Sequence, residues 1–487
     1  ANDYTGGTLV NAGTVIVTQS LGLGRSNGAV TVAGGELLFD SAVSRSGDVT
    51  LTGGKLNING KAVSLGTLSG TAGEVALGTG TLTVAQGATG EFAGVISGAG
   101  NLIKDGTATL TLSNANTYSG TTTIKGGTLS ITNNAGLLGG TVVNVNSGGT
   151  LDIKDANLNA LNLGLSGQGN AGAGALTGSG VARYAGGLTL DADAYIGGTG
   201  TLSLGGALQG VPSRQLTKVG TGTLVLESNS GSFRGDTTIA SGTVSVRNGA
   251  ALGTGAVTVS SGGTLNIDGA ILSATSLTLN GSGTPAGDGA LTGSGAAGFT
   301  GPITLGSATT IGVGNAATLT VSDGIAGGAT AGLTKAGAGT LVLNGAGTYS
   351  GGTSINAGVV RAGNATALGT GAAAVASGAT LDLAGVTLTS PSTLNLSGSG
   401  VGGIGALTGT GTAGYNGAIT LGGATTVGVG TLGDTLTLSG GIAGGATAGL
   451  TKMGAGTLVL NGAGTYSGGT SIDAGVVRTG NATALGT

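Results

Sequence analysis

Residues 333–370 read LTKAGAGTLVLNGAGTYSGGTSINAGVVRAGNATALGT, and residues 450–487 read LTKMGAGTLVLNGAGTYSGGTSIDAGVVRTGNATALGT. Thirty-five of the 38 positions agree, at an offset of 117. A more diverged copy begins 117 residues earlier at Leu216, as LTKVGTGTLVLESNSGSFRGDTTIASGTVSV. Another begins 114 residues before that at Leu102, as LIKDGTATLTLSNANTYSGTTTIKGGTLSI. ANDYTGGTLVNAGTV at 1–15 matches ANTYSGTTTIKGGTL at 115–129, so the sequence opens inside a fifth copy. The intervening stretches repeat too, as GALTGSGAAGFTGPITLG at 289–306 and GALTGTGTAGYNGAITLG at 405–422. A fixed period of this kind is the signature of a stacked architecture. It divides the chain into 1–101, a partial and divergent unit, then 102–215, 216–332 and 333–449, and 450–487 as the start of the next.

Each unit is a series of short runs with a period of two. Thr340-Leu341-Val342-Leu343 puts both leucines on one face, and Thr81-Leu82-Thr83-Val84, Thr264-Leu265-Asn266-Ile267 and Thr435-Leu436-Thr437-Leu438 alternate in the same way. Gly-containing corners follow the runs, as at Asn344-Gly345, Gly351-Gly352 and Ala357-Gly358. Helical periodicity and helix caps are missing. Short strands, small corner residues and one thin aliphatic stripe predict an all-β parallel β-helix, a solenoid in which each rung pairs with the next. At about 23 residues per rung the chain makes roughly 21 rungs and has no helical domain.

Composition narrows the chemistry. Glycine supplies 112 of 487 residues, and charged residues only 7%, where globular domains carry about 25%. There is no Cys, His or Trp. That excludes disulfides, thiol nucleophiles, His-dependent triads and zinc sites built on His or Cys. Regular apolar patterning with a net charge of −3 is not the composition of a disordered chain, and 4 prolines without a three-residue period are not collagen. No apolar run approaches the ~18 residues of a membrane span, so no direct membrane insertion by this segment is expected. The 16 basic residues are dispersed among 19 acidic ones, which argues against a nucleic-acid surface.

The phrase GxGTLxLxGxxTYSGGTxIxAGxxxxGNxxALG resembles the passenger-associated strand repeat of bacterial autotransporters. It recurs four times in full and once in part. The resemblance implies a right-handed parallel β-helix at the surface of a Gram-negative cell, anchored at the outer membrane or released. Absence of Cys suits secretion of an unfolded chain. The stretch stops mid-repeat at Thr487 without a translocator barrel, so a fragment of a longer array is expected.

The expected function is a non-enzymatic surface structural or adhesive protein. It would be a rigid stalk or fibre acting by reach and repeated contacts, possible self-association laterally or end to end included, as in cell aggregation or biofilm. A host, cell-surface or glycan ligand is a second kind of partner. The alternatives are an enzymatic or polysaccharide-binding passenger and an ice-binding solenoid. For the first, Asp191 and Asp193 have strand spacing for an acid–base pair. Their counterparts are Gly306 and Ala308, then Gly422 and Ala424. They therefore read as a solvated face, as do Asp152 and Asp155, and no catalytic residue, metal ligand or cofactor is assigned. For the second, Thr81/Thr83, Thr318/Thr320 and Thr435/Thr437 recur once per unit rather than once per rung.

Two candidate contact sites remain. Arg234, Gly235 and Asp236 form an RGD tripeptide where sister copies read Ser350-Gly351-Gly352 and Ser467-Gly468-Gly469. Aromatics fall in two registers: Tyr4, Tyr118, Phe233, Tyr349 and Tyr466 in one, and Tyr184, Phe299 and Tyr415 in the other. The rings either cover the apolar stripe at a turn or form rows for lateral contact. Phe299, Tyr349, Tyr415 and Tyr466 mark the low-charge half of the chain, since residues 251–487 hold 10 of the 35 charges.

Overall fold

The alternation of the short runs becomes a set of parallel ladders in the computed structural model, which describes residues 2–137, 142–159, 162–211 and 213–487. Every ladder between the described strands is parallel, and the chain is an all-β parallel β-solenoid of about 22 turns. The two single-turn 3-10 segments at Asn170–Gly172 and Val401–Gly403 are the only helical elements among the described residues. The chain divides into two compact units. Unit 1 is Ala1–Thr238 with Gly242–Val244 and Ala251–Gly253; unit 2 is Ile239–Ser241, Ser245–Ala250 and Thr254–Thr487.

In unit 2, Leu319, Leu341, Val360, Leu381, Leu407 and Val427 pair in register from strand to strand. All six are buried. In unit 1, Val63, Leu82, Leu102 and Thr122 form a comparable ladder. Stacking like on like gives each aliphatic side chain a close neighbour above and below, and each strand its backbone partners on both sides. The core is thus one narrow stripe per unit.

Turn length is less uniform than a single average suggests. The step from Val30 to its partner Val49 is clearly shorter than the step from Leu381 to its partner Leu407. Short early turns fit one more turn into the chain than the sequence average predicts. The long turns carry an excursion outside the stack, at 167–175, 281–290 and 398–406.

The outward positions also need one correction. Thr340 is half-buried and Leu341 and Leu343 are buried, as the alternation requires. Thr264 belongs to the same outward set, yet it is 5% exposed. Thr150 and Thr380, its counterparts, are also buried. The excursion of the following turn covers each of them, an arrangement that a two-residue period does not encode.

Candidate functional site

Four inward positions hold lysine. Leu102-Ile103-Lys104, Leu216-Thr217-Lys218, Leu333-Thr334-Lys335 and Leu450-Thr451-Lys452 put Leu and Lys on the same inward face, and all four lysines are buried. Lys335 Nζ donates to the carbonyls of Ala336 (2.8 Å), Gly337 (2.7 Å) and Ala357 (3.1 Å). Lys104 does the same with Asp105, Gly106 and Gly126, and Lys452 with Met453, Gly454 and Ala474. Lys218 donates to Val219 and Gly220. An ammonium has three protons and no acceptor, so three carbonyls satisfy it. Gly106, Gly220, Gly337 and Gly454 have φ between 72° and 79°, a left-handed bend at the corner that only glycine adopts without strain. Burial lowers the pKa of Lys104, Lys218 and Lys335 to about 8 and lowers that of Lys452. These lysines are corner clasps. The Leu-x-Lys spacing exposes them in the sequence to a reader who follows the alternation one residue further.

Apart from the exposed Tyr4, the aromatics of both registers are also structural. Tyr349 and Tyr466 are fully buried, and their hydroxyls are hydrogen-bonded to Thr353 and Thr470 at 2.7 Å each. Tyr118 is tied to Thr122 in the same way at 2.5 Å. Phe299 and Tyr415 are buried too, with the Tyr415 hydroxyl donating to the Pro391 carbonyl at 3.0 Å. The expected lateral contact rows of Phe299, Tyr349, Tyr415 and Tyr466 therefore do not exist on the surface: the rings close the apolar stripe at its corners. Phe233 is the exception within its register. It lacks the hydroxyl, and Thr237 Oγ1 is buried without a hydrogen-bond partner.

The RGD tripeptide follows Phe233. Arg234 and Asp236 are exposed and Gly235 between them is buried. A Cβ on Gly235 would lie 1.6 Å from the Arg214 carbonyl oxygen, and one on Gly351 would lie 2.6 Å from backbone atoms of Ala331 and Gly332. Glycine at this position is thus required by the close approach of the preceding turn in both copies. The tripeptide lies flush with the stack, and the Asp236 carbonyl accepts from the Leu216 N–H at 2.9 Å.

Of the carboxylates weighed as an acid–base pair, Asp193 borders a polar hollow of about 530 Å3 with Ser147, Gln168, Tyr195 and Gln215, which Asp191 does not line. Asp191 and Asp193 are both exposed on the strand Gly187–Gly198, and Asp193 Oδ1 accepts from the Gln215 N–H at 3.0 Å. Asp155 Oδ1 accepts from the Val181 N–H.

A recurring feature does gather chemistry on the outer face. In each long turn the buried threonine clamps the excursion from below. Thr380 Oγ1 donates to the Gly405 carbonyl (2.8 Å) and accepts from the Val401 N–H (2.9 Å). Thr150 holds Gly174 and Asn170, and Thr264 holds Gly289 and Thr284, in the same manner. The anchors are constant, while the tips read Asn170-Ala171-Gly172-Ala173, Thr284-Pro285-Ala286-Gly287-Asp288 and Val401-Gly402-Gly403-Ile404.

Beside each excursion runs a row of polar side chains. It is Ser130–Asp152–Thr177 in unit 1, and Ser245–Asn266–Thr292 and Arg361–Asp382–Thr408 in unit 2. In the last row Arg361 Nε donates to Asp382 Oδ2 at 2.7 Å, and Thr408 Oγ1 donates to Asp382 Oδ1 at 2.9 Å. This row lies in a groove of about 480 Å3, whose wall includes Val359, Ile404, Val429 and Met453. Gly428 continues the row from Thr408 to Met453, and a Cβ there would run into the Ile404 carbonyl, so the glycine lets the excursion pass close over it. The corresponding hollow of unit 1, about 390 Å3, is lined by Ala173, Thr177, Ser179 and Val219 among others, with no charged residue.

The fold and its clasps define a class: a parallel β-solenoid assembled from autotransporter passenger-type repeats. The Passenger-associated-transport-repeat family matches residues 1–17, 102–131, 216–246, 333–362 and 450–478, five segments spaced along the chain. The four later matches each begin at or within the strand of a clasp lysine and contain the aromatic corner. The excursions lie between the matches. A particular relative is the Adhesin BmaC autotransporter of Brucella suis biovar 1 (strain 1330), 36% identical over 206 residues, which is 42% of this chain. The aligned segment spans 5% of that protein's length. No solved structure matches the chain.

Proposed function

We propose that the chain is part of a surface-exposed passenger of a Gram-negative autotransporter, where it acts as a non-enzymatic adhesive stalk. The observation that carries this reading is the fivefold passenger repeat wound into a solenoid whose reactive groups serve its corners. The similarity to an autotransporter named as an adhesin supports it. Buried lysines and tyrosines spent on backbone carbonyls and threonines hold shape rather than perform chemistry, and the excursions supply the surface that varies between units.

The intact chain coupled to beads should attach to mammalian cells or to matrix-coated surfaces more than beads bearing a chain of similar charge. Attachment no greater than that control would remove the adhesive reading. Protease and glycan-degradation assays on the same material should be blank. Attachment should also persist in Asp236→Ala, because the RGD glycine is packed against the preceding turn.

The adhesive reading extends to self-association, supported by sparse charge on residues 251–487 and exposed Ile404, Leu432 and Met453. Low charge weakens the repulsion between copies. Sedimentation velocity of the intact chain over a concentration series should show reversible oligomers, and a single monomer boundary throughout would rule this out.

A further inference from the structure

We propose that the groove on unit 2 is a binding site for a neutral oligosaccharide, with the Arg361–Asp382 pair as its polar reader. The proposal deepens the adhesive reading by naming a ligand class and a place for it.

The chemistry of the pair is specific. Asp382 is 6% exposed, and both of its carboxylate oxygens are held in place, one by Arg361 and one by Thr408. The Arg361 side chain is 51% exposed, and only its Nε is engaged with Asp382. Arg361 and Asp382 both line the groove, so a guanidinium whose NH2 groups are not bonded to Asp382 stands beside a carboxylate with acceptor capacity left. A vicinal diol matches this arrangement, because each hydroxyl both donates and accepts. The ion pair is internally neutral, so an uncharged ligand leaves neither partner without its counter-charge.

The remainder of the groove suits the other surface of a sugar. Val359, Ile404 and Met453 offer aliphatic contact to ring C–H faces, and Thr340 and Thr410 add hydroxyls at the edge. The volume, about 480 Å3, lies within the usual range of small-ligand sites and accommodates a few sugar rings rather than a protein domain.

The other copies act as built-in controls. Ser130 replaces Arg361, Ala173 replaces Ile404 and Val219 replaces Met453 in the unit 1 hollow. There Asp152 accepts from Ser130, Thr177 and Ser179, so three of its roughly four acceptor sites are used within the protein, against two at Asp382. Among the three polar rows described, only the one at Arg361 combines a donor fork, a fixed carboxylate and an aliphatic wall.

The test titrates the intact chain with cellobiose, maltotriose, lactose and N,N′-diacetylchitobiose, read by calorimetry and saturation-transfer NMR. At least one probe should bind with one site per chain. Arg361→Gln and Asp382→Asn should each weaken that binding about tenfold or more. Ile404→Trp, which fills the groove and leaves the ion pair intact, should abolish it with an unchanged far-UV spectrum. Thr177→Ala, in the unit 1 hollow, should leave it unchanged. Absence of binding by every probe at about 10 mM overturns the proposal, as does binding that survives Ile404→Trp. Loss of oligomers in Ile404→Trp without saccharide binding would make a second copy the occupant, and would also overturn it. Adhesion that persists in Arg361→Gln removes the groove from the adhesive mechanism but not the adhesive reading itself. An intact chain that binds sugar but does not attach to cells separates the two the other way.

Discussion

The corner at 233–237 in unit 1 and the corner at 349–353 in unit 2 occupy the same place in the repeat but are closed differently. Tyr349 hydrogen-bonds Thr353, and Thr353 Oγ1 also donates to the Leu368 carbonyl at 2.8 Å. Phe233 buries an equivalent ring, but Thr237 has no partner for its hydroxyl. The glycine in each corner is fixed by the preceding turn, whereas the residues around it differ: Ser350 and Gly352 in one, Arg234 and Asp236 in the other. Stacking therefore dictates the ring and the glycine, and leaves the hydroxyl and the flanking charges free to vary. The RGD tripeptide of one copy sits on a structural corner, with Arg234 and Asp236 as its two exposed substitutions.

The largest expected effect breaks the stripe beneath both corners equally. Leu343→Asp and Leu226→Asp each place a carboxylate among aliphatic neighbours without a partner, and should destabilise the chain by several kcal/mol. Thr340→Asp and Thr223→Asp, both half-buried on the outer side, should lower the denaturant midpoint far less. Equal shifts for the inner and outer variants would mean that the strand register is displaced by one residue.

Next in size is the glycine. Gly235→Ala and Gly351→Ala both drive a methyl into the preceding turn's backbone, and overpacking of this kind costs about 1–3 kcal/mol. Gly235→Ala should be the more damaging, because its Cβ would stand 1.6 Å from the Arg214 oxygen against 2.6 Å for the nearest atom at Gly351. Thermal melts of the two variants give the order directly, and the reverse order would show that the RGD corner yields more readily than its sister.

A smaller effect should be shared by both regions and depend on pH. Lys218 in unit 1 and Lys335 in unit 2 have pKa values lowered by burial to about 8, from an ordinary 10.5. Between these values the unfolded chain holds more protons than the folded one, so stability rises as pH climbs from about 8 toward 10. Buried tyrosines reverse the trend higher up. Burial raises Tyr118 and Tyr415 to about 12, so above pH 10 the folded chain holds the extra protons and stability falls. Denaturant midpoints between pH 7 and 11 should therefore pass through a maximum near 10. In Lys335→Met the rise should be reduced; an unchanged profile would show that the clasp lysines do not titrate in this range.

Much of the fold was legible in the sequence because stacked strands report themselves twice, in the long repeat period and in the alternation within each run. Leu341 and Leu343 are inward for both reasons. Thr264 misleads because its cover comes from a loop on the following turn, and no local pattern carries that information. Turn lengths were blurred by averaging for the same reason: the excursions lengthen some turns without adding strands. Of the candidate contact residues, the aromatics were visible as a register but not as buried, since a ring at a corner reads the same whether it turns in or out. Arg361 and Asp382 escaped notice because they stand on different turns and meet only when two successive turns are laid in register. The clasp lysines were within reach, because Leu and Lys two apart on a strand must share a face.

The smallest effect isolates the corner hydroxyl. Phe233→Tyr should restore in unit 1 the tether that Tyr349 makes in unit 2, giving Thr237 Oγ1 a partner at the same spacing along the chain. A new buried hydrogen bond is worth about 1 kcal/mol, and relieving an unpaired buried hydroxyl adds to the gain. The inverse substitution, Tyr349→Phe, should cost less than that gain. Thr353 keeps its bond to the Leu368 carbonyl when the tyrosine hydroxyl is removed, so no buried donor is orphaned. The two variants thus predict unequal shifts of opposite sign, measured as denaturant midpoints with local opening followed by hydrogen exchange at the two corners. In Phe233→Tyr, amides around Gly235 should exchange more slowly while those around Gly351 stay as they were. If Phe233→Tyr instead lowers the midpoint, the unit 1 corner lacks room for the hydroxyl, and its phenylalanine is a packing requirement rather than a missing tether.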